Sequence, residues 1–371
     1  MALAIYRKYR PKSFAEFIGQ EEVVEILKNA AKADKIGHAY LFYGPRGSGK
    51  TTAARLLAKV INCEKRRDDS KFRMLGEPCN KCRPCLETDA GRALDVIELD
   101  AASNRGIDEI RNLKEGIKLS PSSYQFKVFI IDEAHQLTKE AFNALLKTLE
   151  EPPAHAIFIL ATTEYEKLPQ TIVSRTQRFN FRRLNMKQIL EKLNMIVKAE
   201  KMKISGPALE IIASSAEGSF RDAESLLEQV ISLTDEADVK TVEQLLGKVG
   251  FSKTSRLAEL ILSSDLESAL EFLSGINEAG HNLVQLNHDL IHYFRRVLVL
   301  YFDSKMEEVF KNELTSDELE EMKKQSRLIK PDKHIPLLKS LIRAYSEMRY
   351  SPFAIVPLEV AIIENLREQN Q

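Results

Sequence analysis

The sequence predicts an α/β domain built on a parallel sheet, followed by an all-helical part. Short apolar runs alternate with helical segments over the first 180 residues. Runs that are apolar throughout are typical of parallel strands covered on both faces of a sheet. From Asn185 onward, nearly every segment instead has apolar residues at the 3.6-residue spacing of an amphipathic helix. The sequence therefore changes character near Phe181.

In the α/β part, apolar segments bounded by glycine, proline or polar residues predict four strands and two helices. The strands cover residues 39–43, 95–99, 127–131 and 156–161, and the helices cover residues 51–61 and 139–149. Pro152 and Pro153 end the second helix, because proline cannot continue a helix. A segment that contains all the cysteines separates the first helix from the second strand and is predicted to be an insertion.

The remaining residues predict helices only. The first three helices cover residues 186–201, 206–215 and 219–233. A polar stretch at residues 234–238 separates them from further helices near residues 252–262, 266–278, 283–301, 335–350 and 353–364. No internal repeat or low-complexity tract interrupts this pattern.

Length and charge limit the possible classes of protein. With 371 residues, the chain exceeds the usual size of one domain, so two or three domains are expected. Lys plus Arg and Asp plus Glu both number 54, which gives a formal net charge of zero. This balance disfavours binding of nucleic acid through bulk basicity, but it is compatible with a local basic stripe. No stretch is apolar enough to span a bilayer and the N-terminus has no apolar signal core, so we expect a cytoplasmic protein without membrane contact.

All four cysteines of the chain, Cys63, Cys79, Cys82 and Cys85, fall within 23 residues. Disulfide frameworks spread their cysteines to join distant segments, so this clustering favours a metal site. Four thiolates complete a tetrahedral Zn²⁺ site with no open position, which makes structural zinc the favoured interpretation. An iron–sulfur cluster is the nearest alternative, since C-x2-C-x2-C also occurs in ferredoxins, and four unrelated reduced cysteines are a third. The charged and polar residues between the cysteines favour zinc.

A glycine-rich segment follows the first predicted strand and precedes the first predicted helix. Residues 44–51, Gly-Pro-Arg-Gly-Ser-Gly-Lys-Thr, fit the pattern G-x-x-x-x-G-K-[ST] of phosphate-binding loops. In such a loop backbone N–H groups surround the phosphates, and the helix N-terminus adds the positive end of its dipole. We expect Lys50 to reach the β- and γ-phosphates and the Thr51 hydroxyl to bind Mg²⁺. A glycine-rich turn without a ligand is the alternative, which the flanking strand and helix disfavour.

Two acidic residues, Asp132 and Glu133, end the third predicted strand. Ligands of open α/β sheets bind beyond the carboxyl ends of the strands, so both side chains are expected near the phosphate loop. We expect Asp132 to support Mg²⁺ and Glu133 to orient and deprotonate the attacking water. A turn that merely ends the strand is the alternative. His135 completes the sequence Asp-Glu-Ala-His and is expected to make a structural hydrogen bond.

Two arginines are candidates to neutralise charge on the γ-phosphate. Arg175 lies in Ser-Arg-Thr, and Arg221 lies in Gly-Ser-Phe-Arg-Asp. An arginine finger contributes about 10³–10⁵ in rate. Because arginine is common and both motifs are short, the residues by themselves favour surface arginines paired with acids.

Several motifs occur in an order that resembles one protein family. They are the phosphate loop, the cysteine insertion, Ala-Ala-Ser-Asn-Arg at residues 101–105, Asp-Glu-Ala-His at residues 132–135 and Ser-Arg-Thr at residues 174–176. Tyr-Arg-Lys-Tyr-Arg-Pro at residues 6–11 and Gly-Ser-Phe-Arg-Asp-Ala at residues 218–223 fit the same order. Together they resemble the gamma/tau subunits of the bacterial DNA polymerase III clamp loader, which are AAA+ ATPases, over essentially the whole chain.

The resemblance implies three domains and three cofactors. The domains are an AAA+ P-loop NTPase domain at residues 1–180 with a zinc-binding insertion at residues 63–85, a small helical lid domain at residues 181–240, and a helical collar domain at residues 241–371 that oligomerises. The cofactors are ATP, Mg²⁺ and Zn²⁺. The expected nucleotide-binding residues are Gly44, Pro45, Arg46, Gly47, Ser48, Gly49, Lys50, Thr51, Thr52, Asp132 and Arg221.

The resemblance also implies catalytic roles, which include Lys50 and Glu133. Thr163 resembles the polar sensor that helps to place the water, with Thr162 as the alternative. Residues 7–11 and 18–19 resemble the segment that packs on adenine.

The two arginines receive different roles from the resemblance. Arg175 resembles the finger that acts in trans on the ATP of a neighbouring subunit, and Arg221 resembles the lid arginine that acts in cis. The family usually has Ser-Arg-Cys, so Ser-Arg-Thr at residues 174–176 is a departure that keeps a small side chain beside the finger.

The implied function is that of the ATP-driven motor subunit of the clamp loader, an ATPase that does not itself polymerise DNA. ATP at subunit interfaces favours a spiral that opens the ring-shaped sliding clamp, and hydrolysis on primer–template DNA releases the loader. The implied partners are delta, delta-prime and further gamma/tau copies in a hetero-pentamer, together with the clamp and the DNA at the replisome. Longer family members carry further C-terminal domains, so we expect this chain to correspond to a short gamma-like form or a truncated one.

Two alternative functions stay open at this point. One is a non-hydrolysing architectural loader subunit, which the intact Lys50, Thr51, Asp132 and Glu133 disfavour. The other is a different AAA+ DNA motor, such as a branch-migration helicase, which the cysteine insertion disfavours.

Overall fold

The computed structural model describes residues 4–103, 115–234, 236–245, 250–311, 314, 316–348 and 350–367. The chain forms two compact units, each made of two segments. Unit 1 comprises Met1–Lys192 and Ala216–Ser225, and unit 2 comprises Leu193–Ser215 and Leu226–Gln371. The division into three domains at residues 180 and 240 stays a prediction.

Unit 1 is built on a five-stranded sheet in which every neighbouring pair of strands is parallel. The strand order is β2-β3-β4-β1-β5. The strands are β1 (Ala39–Tyr43), β2 (Val96–Asp100), β3 (Lys127–Asp132), β4 (Ala156–Thr162) and β5 (Gln177–Asn180). Unit 2 has a two-stranded parallel sheet of β6 (Lys203–Ile204) and β7 (Glu236–Ala237). Since all five strands of the larger sheet run the same way, their carboxyl ends meet at one edge.

Helices connect the strands and form most of unit 2. In chain order, the α-helices with described bounds are α1 (Ile5–Lys8), α2 (Glu21–Lys32), α3 (Lys50–Ile61), α4 (Glu64–Asp68), α5 (Ser70–Arg73), α6 (Arg83–Asp89), α7 (Lys139–Glu150), α8 (Gln170–Val173), α9 (Met186–Glu200), α10 (Gly206–Ser215), α11 (Phe220–Leu233), α12 (Val239–Leu245), α13 (Phe251–Leu262), α14 (Leu266–Glu278), α15 (Leu283–Phe302), α16 (Met306–Phe310), α17 (Ser316–Ser326), α18 (Pro331–Met348) and α19 (Ile355–Leu366). Short 3₁₀ helices cover Phe14–Glu16, Ala134–Gln136 and Tyr165–Lys167.

The four predicted strands are confirmed to within one residue at each end. The structure adds the two-residue strands β6 and β7, where only helices were predicted, and it adds β5, which was not predicted either. Its sequence is Gln-Arg-Phe-Asn, and Phe179 is its one buried residue. The strand pairs with β1 alone and lies at the edge of the sheet, where polar side chains are tolerated. Because it has no apolar run, the sequence pattern did not distinguish it from a loop.

Side chains of the inner strands alternate between two apolar cores, one on each face of the sheet. Leu41, Phe129 and Phe158 belong to one core together with α7. Tyr40 and Val128 belong to the other core together with α2 and α3. This alternation follows from the two-residue period of a strand. Both faces are therefore covered, as the continuous apolar runs predicted.

The predicted helices are confirmed, and all of their ends but one agree within two residues. A larger displacement occurs at α18, which begins at Pro331, four residues before the predicted start. Three helices of unit 2, α12, α16 and α17, were not predicted. The last has the sequence SDELEEMKKQS, whose few apolar residues give little periodic signal.

Helices α13 to α19 share one apolar core in unit 2. Leu257, Leu290 and Leu341 are fully buried members of this core. Two buried amides are hydrogen bonded within it: Asn287 Nδ2 donates to the Leu341 carbonyl oxygen at 3.1 Å, and Gln325 Nε2 donates to Ser255 Oγ at 2.9 Å. Across the described residues, no helix has both the length and the apolar character needed to cross a membrane.

A prediction concerns Asp95, a buried carboxylate that orders the turn before β3. It is 1% exposed, and its two oxygens accept hydrogen bonds from the backbone N–H groups of Ser122, Ser123 and Tyr124 at 2.8, 2.8 and 3.0 Å. In Asp95→Asn an NH₂ group faces at least one of these donors. We expect the free energy of unfolding to fall by about 2 kcal/mol or more in urea titrations.

The matched control for this prediction is Asp69→Asn. Asp69 is partly exposed, and a single oxygen accepts from the N–H groups of Lys71 and Phe72 at 2.9 and 3.1 Å. Asparagine retains such an acceptor and caps a helix about as well as aspartate, so the change should stay below about 0.5 kcal/mol. Equal effects of the two substitutions would contradict the assigned role of Asp95.

Candidate functional site

The glycine-rich loop lies at the carboxyl end of β1 and leads into α3. Gly44 has a φ of 143°, and a Cβ there would lie 2.1 Å from the Phe181 carbonyl oxygen. Gly47 has a φ of 72°, and a Cβ there would lie 1.8 Å from Ser219 Oγ. Both positions therefore require glycine for backbone conformation and for space. The loop forms the tight cradle that the sequence pattern predicts.

Lys50 is the first residue of α3 and is 6% exposed. Its Nζ donates hydrogen bonds to the carbonyl oxygens of Gly44 and Pro45, both at 2.8 Å, so the ammonium group lies over the loop. Burial lowers the pKa of Lys50, while the nearby carboxylates of Glu133 and Asp132 oppose that shift. A buried cation at a helix N-terminus is suited to binding an anion.

The acidic pair at the end of β3 lies next to the start of α3. Thr51 Oγ1 donates a hydrogen bond to Asp132 Oδ2 at 2.8 Å, and the Glu133 N–H donates to Asp132 Oδ1 at 3.0 Å. Glu133 has a φ of 47°, a left-handed conformation that is strained for a residue with a side chain. Strain of this kind clusters at functional sites. A hydroxyl and a carboxylate thus converge where Mg²⁺ ligands are predicted.

Two threonines at the end of β4 have different partners. Thr163 Oγ1 donates to Glu133 Oε2 at 3.1 Å. Thr162 is fully buried, and its Oγ1 lies 3.0 Å from Nδ1 of His135. The His135 ring also lies 3.1 Å from Glu164 Oε1. The geometry thus brings Thr163, and not Thr162, to the predicted catalytic carboxylate, and it gives His135 hydrogen-bonding partners.

A cavity of about 950 Å³ is lined by Lys50, Thr51, Asp132 and Glu133 together with the N-terminal segment and the start of α11, whereas Thr163 does not line it. Arg221 lines this cavity, and its guanidinium lies 5.4 Å from the centre of the Tyr6 ring. The predicted site residues that line the cavity are Arg46, Gly47, Gly49, Lys50, Thr51, Thr52, Asp132, Glu133 and Arg221. The volume is in the range of small-molecule and cofactor sites.

Other predicted site residues lie outside the lining of this cavity. Gly44, Pro45 and Ser48 form the back of the loop, where Ser48 Oγ donates to the Pro45 carbonyl oxygen at 2.8 Å. Arg175 forms an ion pair with Glu150 Oε1 at 2.6 Å and is not a lining residue. Residues 104 and 105 of the Ala-Ala-Ser-Asn-Arg motif lie outside the described residues.

The charged lining residues that were not predicted from the sequence include two ion pairs. Arg55 forms a two-bond ion pair with Glu98, with both distances at 2.6 Å. Lys192 and Glu224 form a buried pair with 4.0 Å between Nζ and Oε1. Glu224 lies three residues after Arg221 on a helix, so the two share one face. That spacing could have identified Glu224 as a lining residue. No sequence signal links Lys192 to a partner 32 positions away.

The four cysteine sulfurs converge, all within 4.8 Å of one another. Sγ of Cys79 lies 4.0 Å from Sγ of Cys85, and Sγ of Cys82 lies 4.0 Å from Sγ of Cys63. Four sulfurs bound at 2.3 Å to one tetrahedral ion lie about 3.8 Å apart, so the set fits Zn²⁺. The iron and sulfide atoms of a cluster hold cysteine sulfurs farther apart, which disfavours that alternative.

Hydrogen bonds within the cluster favour thiolates at Cys79 and Cys63. Backbone N–H groups of Lys81 and Cys82 donate to Cys79 Sγ at 3.4 and 3.2 Å. Hydrogen bonding with Cys85 lowers the pKa of the Cys63 thiol to about 5, and the same interaction raises the pKa of Cys85. The cluster is compatible with metal binding, since a metal binds the deprotonated thiol.

Three family models cover most of the chain in succession. The model described as "DNA polymerase III, delta subunit" matches residues 19–185. The model for the ATPase lid domain of the "DNA polymerase III clamp loader subunit" matches residues 188–236, and the model for domain III of "DNA polymerase III subunits gamma and tau" matches residues 237–369. With the five-stranded parallel sheet, these matches confirm the predicted AAA+ fold class with a lid and a C-terminal helical domain.

Curated relatives resemble the chain over most of its length. A DNA polymerase III subunit gamma of Buchnera aphidicola subsp. Schizaphis graminum is 39% identical, with 79% of this chain and 79% of that protein covered. A DNA polymerase III subunit tau of Bacillus subtilis is 41% identical over 99% of this chain. The chain spans 64% of the length of that tau protein and 54% of the tau protein of Escherichia coli.

A solved structure of the Thermotoga maritima RuvB Holliday junction branch migration motor is 20% identical, with a TM-score of 0.46 over 70% of this chain and 80% of that one. The relatives of higher identity are gamma and tau subunits, so the branch-migration alternative is not favoured.

Proposed function

Because the chain belongs to the gamma/tau family of DNA polymerase III clamp-loader subunits, we propose that it is the ATP-driven motor subunit of a bacterial clamp loader. It binds and hydrolyses ATP to open the sliding clamp and load it on primed DNA. The observation that carries this proposal is the linked set of Thr51, Asp132, Glu133 and Thr163 beside the phosphate loop. An architectural subunit that does not hydrolyse ATP has no need of such a set.

The residues of the cavity fit ATP and Mg²⁺. The loop cradle that a Cβ would fill suits close approach of a phosphate, and Lys50 would bind the β- and γ-phosphates. Thr51 and Asp132 would hold Mg²⁺, which supplies neutralisation of phosphate charge. Glu133 orients the attacking water and accepts its proton, and the Thr163 hydroxyl holds the Glu133 carboxylate in place.

We assign the two arginines to different subunits. Arg221 lines the cavity of its own chain and binds the γ-phosphate in cis. Arg175 serves the cavity of a neighbouring subunit, which is supported by its position outside the lining of its own cavity. Hydrolysis then depends on assembly, because each site is completed by a residue of the next subunit.

The proposed partners are those of a clamp loader: delta, delta-prime and further gamma/tau copies in a hetero-pentamer, the sliding clamp and primer–template DNA at the cytoplasmic replisome. A net charge of zero is compatible with DNA in the centre of a ring, because only the inner face contacts phosphates. The chain is not expected to polymerise DNA.

Zinc is the metal that we propose for the cysteine cluster. Four thiolates leave no open coordination position, so the ion would stabilise the insertion and take no part in hydrolysis. Cys63 follows α3 and Cys85 lies within α6, so the ion would join the end of the helix behind the phosphate loop to the rest of the insertion.

The first test of the function is ATP binding and turnover by the complete chain, with and without clamp and primed DNA. Lys50→Ala removes the ammonium group over the phosphate loop, so the dissociation constant for ATP should rise by about 100-fold or more in calorimetry. The control is Lys35→Ala, an exposed lysine outside the cavity lining, which should bind ATP normally. An unchanged ATP affinity of the Lys50 variant would contradict the proposal.

Arg175→Ala should leave ATP binding within about twofold, because the side chain lies outside the cavity of its own chain. It should remove the stimulation of turnover by clamp and primed DNA in the assembled loader, since an arginine finger contributes about 10³-fold or more. Arg182→Ala, another arginine in a surface ion pair, serves as the control and should retain stimulation. A weakened ATP affinity in the Arg175 variant would assign the residue to its own site instead.

Metal analysis of the purified chain should give about one zinc and no iron per molecule. Cys82→Ser should lose the zinc and lower the thermal unfolding midpoint, whereas Lys81→Ala within the same loop should keep the zinc. Stoichiometric iron, or four thiols that react freely with a thiol reagent, would exclude the zinc site.

A further inference from the structure

Glu224 is a buried carboxylate of the cavity that accepts no hydrogen bond from the residues that the structure describes. Glu224 is 5% exposed and lines the cavity together with the phosphate-binding residues. Within the part of the chain that the structure describes, no group donates a hydrogen bond to this side chain. A buried carboxylate that accepts no hydrogen bond is costly even beside a cation, so a ligand that donates to Glu224 gains affinity by relieving that cost.

Lys192 is the ion-pair partner of Glu224, but it leaves the carboxylate able to accept hydrogen bonds. The distance from Lys192 Nζ to Glu224 Oε1 is 4.0 Å, which is too long for a hydrogen bond. The same Nζ donates to the Tyr9 carbonyl oxygen at 2.6 Å. Burial raises the pKa of Glu224 to about 7 and lowers that of Lys192, so desolvation outweighs the attraction within the pair.

The location of Glu224 follows from α11, which begins at the phosphate loop. The Phe220 N–H donates to the Gly47 carbonyl oxygen at 3.3 Å, so the first turn of the helix is tied to the loop. Arg221 and Glu224 are one turn apart and share a helix face. Glu224 thus lies farther along the helix from the phosphates than Arg221. The N-terminal residues Tyr6 and Pro11 line the same cavity.

We propose that Glu224 determines the base specificity of the cavity by accepting a hydrogen bond from the exocyclic amino group of adenine. This inference rests on the proposed function, since it assumes that the cavity binds ATP. In the resulting arrangement Lys50 and Arg221 hold the phosphates, and Glu224 holds the amino group at the other end of the nucleotide.

The chemistry of the two purines explains the selectivity. Adenine carries an amino group at C6, which donates to a carboxylate. Guanine carries a carbonyl oxygen at C6, an acceptor that gives the ionised Glu224 carboxylate no hydrogen bond at that position. A site that hydrogen-bonds one ligand group rejects the analogue that lacks it, because the buried protein group is then left unpaired.

The experiment measures dissociation constants of ATP, GTP and purine riboside triphosphate, which is ATP without the amino group, for the complete chain with Mg²⁺. For the wild-type chain we expect purine riboside triphosphate and GTP to bind at least about tenfold more weakly than ATP. In Glu224→Leu the difference between ATP and purine riboside triphosphate should fall below about threefold. Glu224→Gln, whose amide oxygen also accepts, should keep part of the difference.

Two further variants separate recognition from folding. Glu224→Leu combined with Lys192→Met replaces the pair by two apolar side chains, which removes the charge that a single substitution leaves unpaired. It should show the same loss of selectivity as Glu224→Leu. Glu191→Leu, an exposed acid next to Lys192 on α9, is the control and should discriminate like the wild type.

The outcomes distinguish this inference from the proposed function. A wild-type chain that binds ATP and purine riboside triphosphate equally, or GTP as tightly as ATP, overturns the role of Glu224 and leaves the ATPase proposal standing. Selectivity that survives in both leucine variants overturns it as well. A chain that binds no ATP overturns both proposals.

Discussion

Burial of the parallel sheet on both faces is the constraint on which the site of unit 1 depends. Alternate residues of β1, β3 and β4 enter opposite cores, so a slip by one residue would move each side chain into the core of the other face, which is packed around different side chains. With the register fixed, the carboxyl ends of these strands meet at one edge. The phosphate loop, Asp132 and Thr163 follow those ends directly. The core therefore places the polar groups before any ligand contributes to their position.

Several groups of the site destabilise the folded chain. Lys50 and Lys192 are both buried cations whose pKa values are lowered by burial, and Glu224 is a buried carboxylate whose pKa is raised for the same reason. Glu133 adds backbone strain at a φ of 47°. Each feature is unfavourable in the folded chain, and each involves a group that faces the cavity. Such costs are expected where preorganised charges await an anionic ligand.

Features that neighbouring residues determine could be predicted from the sequence, whereas features that depend on contacts between distant segments could not. The inner strands and the phosphate loop were predicted because runs of neighbouring residues determine them. Strand β5 was missed because its place at the sheet edge requires one apolar residue, Phe179, and no run. The contact of Thr163 with Glu133 was available only as a resemblance, since two adjacent threonines are equivalent in sequence. The Lys192–Glu224 pair depends on packing between distant segments, which no local pattern encodes.

Arg175 connects the geometry of one chain to the proposed assembly. Its guanidinium is held by Glu150 Oε1 at 2.6 Å and by the Thr171 carbonyl oxygen at 2.8 Å. To reach a phosphate of a neighbouring subunit, it must leave the carboxylate. The side chains of Arg175 and Glu150 are 34% and 47% exposed, so the ion pair contributes only about 0–1 kcal/mol. In the proposed assembly, the triphosphate would outcompete Glu150 because it carries more negative charge than one carboxylate. The surface ion pair with Glu150 would therefore hold Arg175 in place in the free chain without preventing the proposed transfer to a neighbouring phosphate.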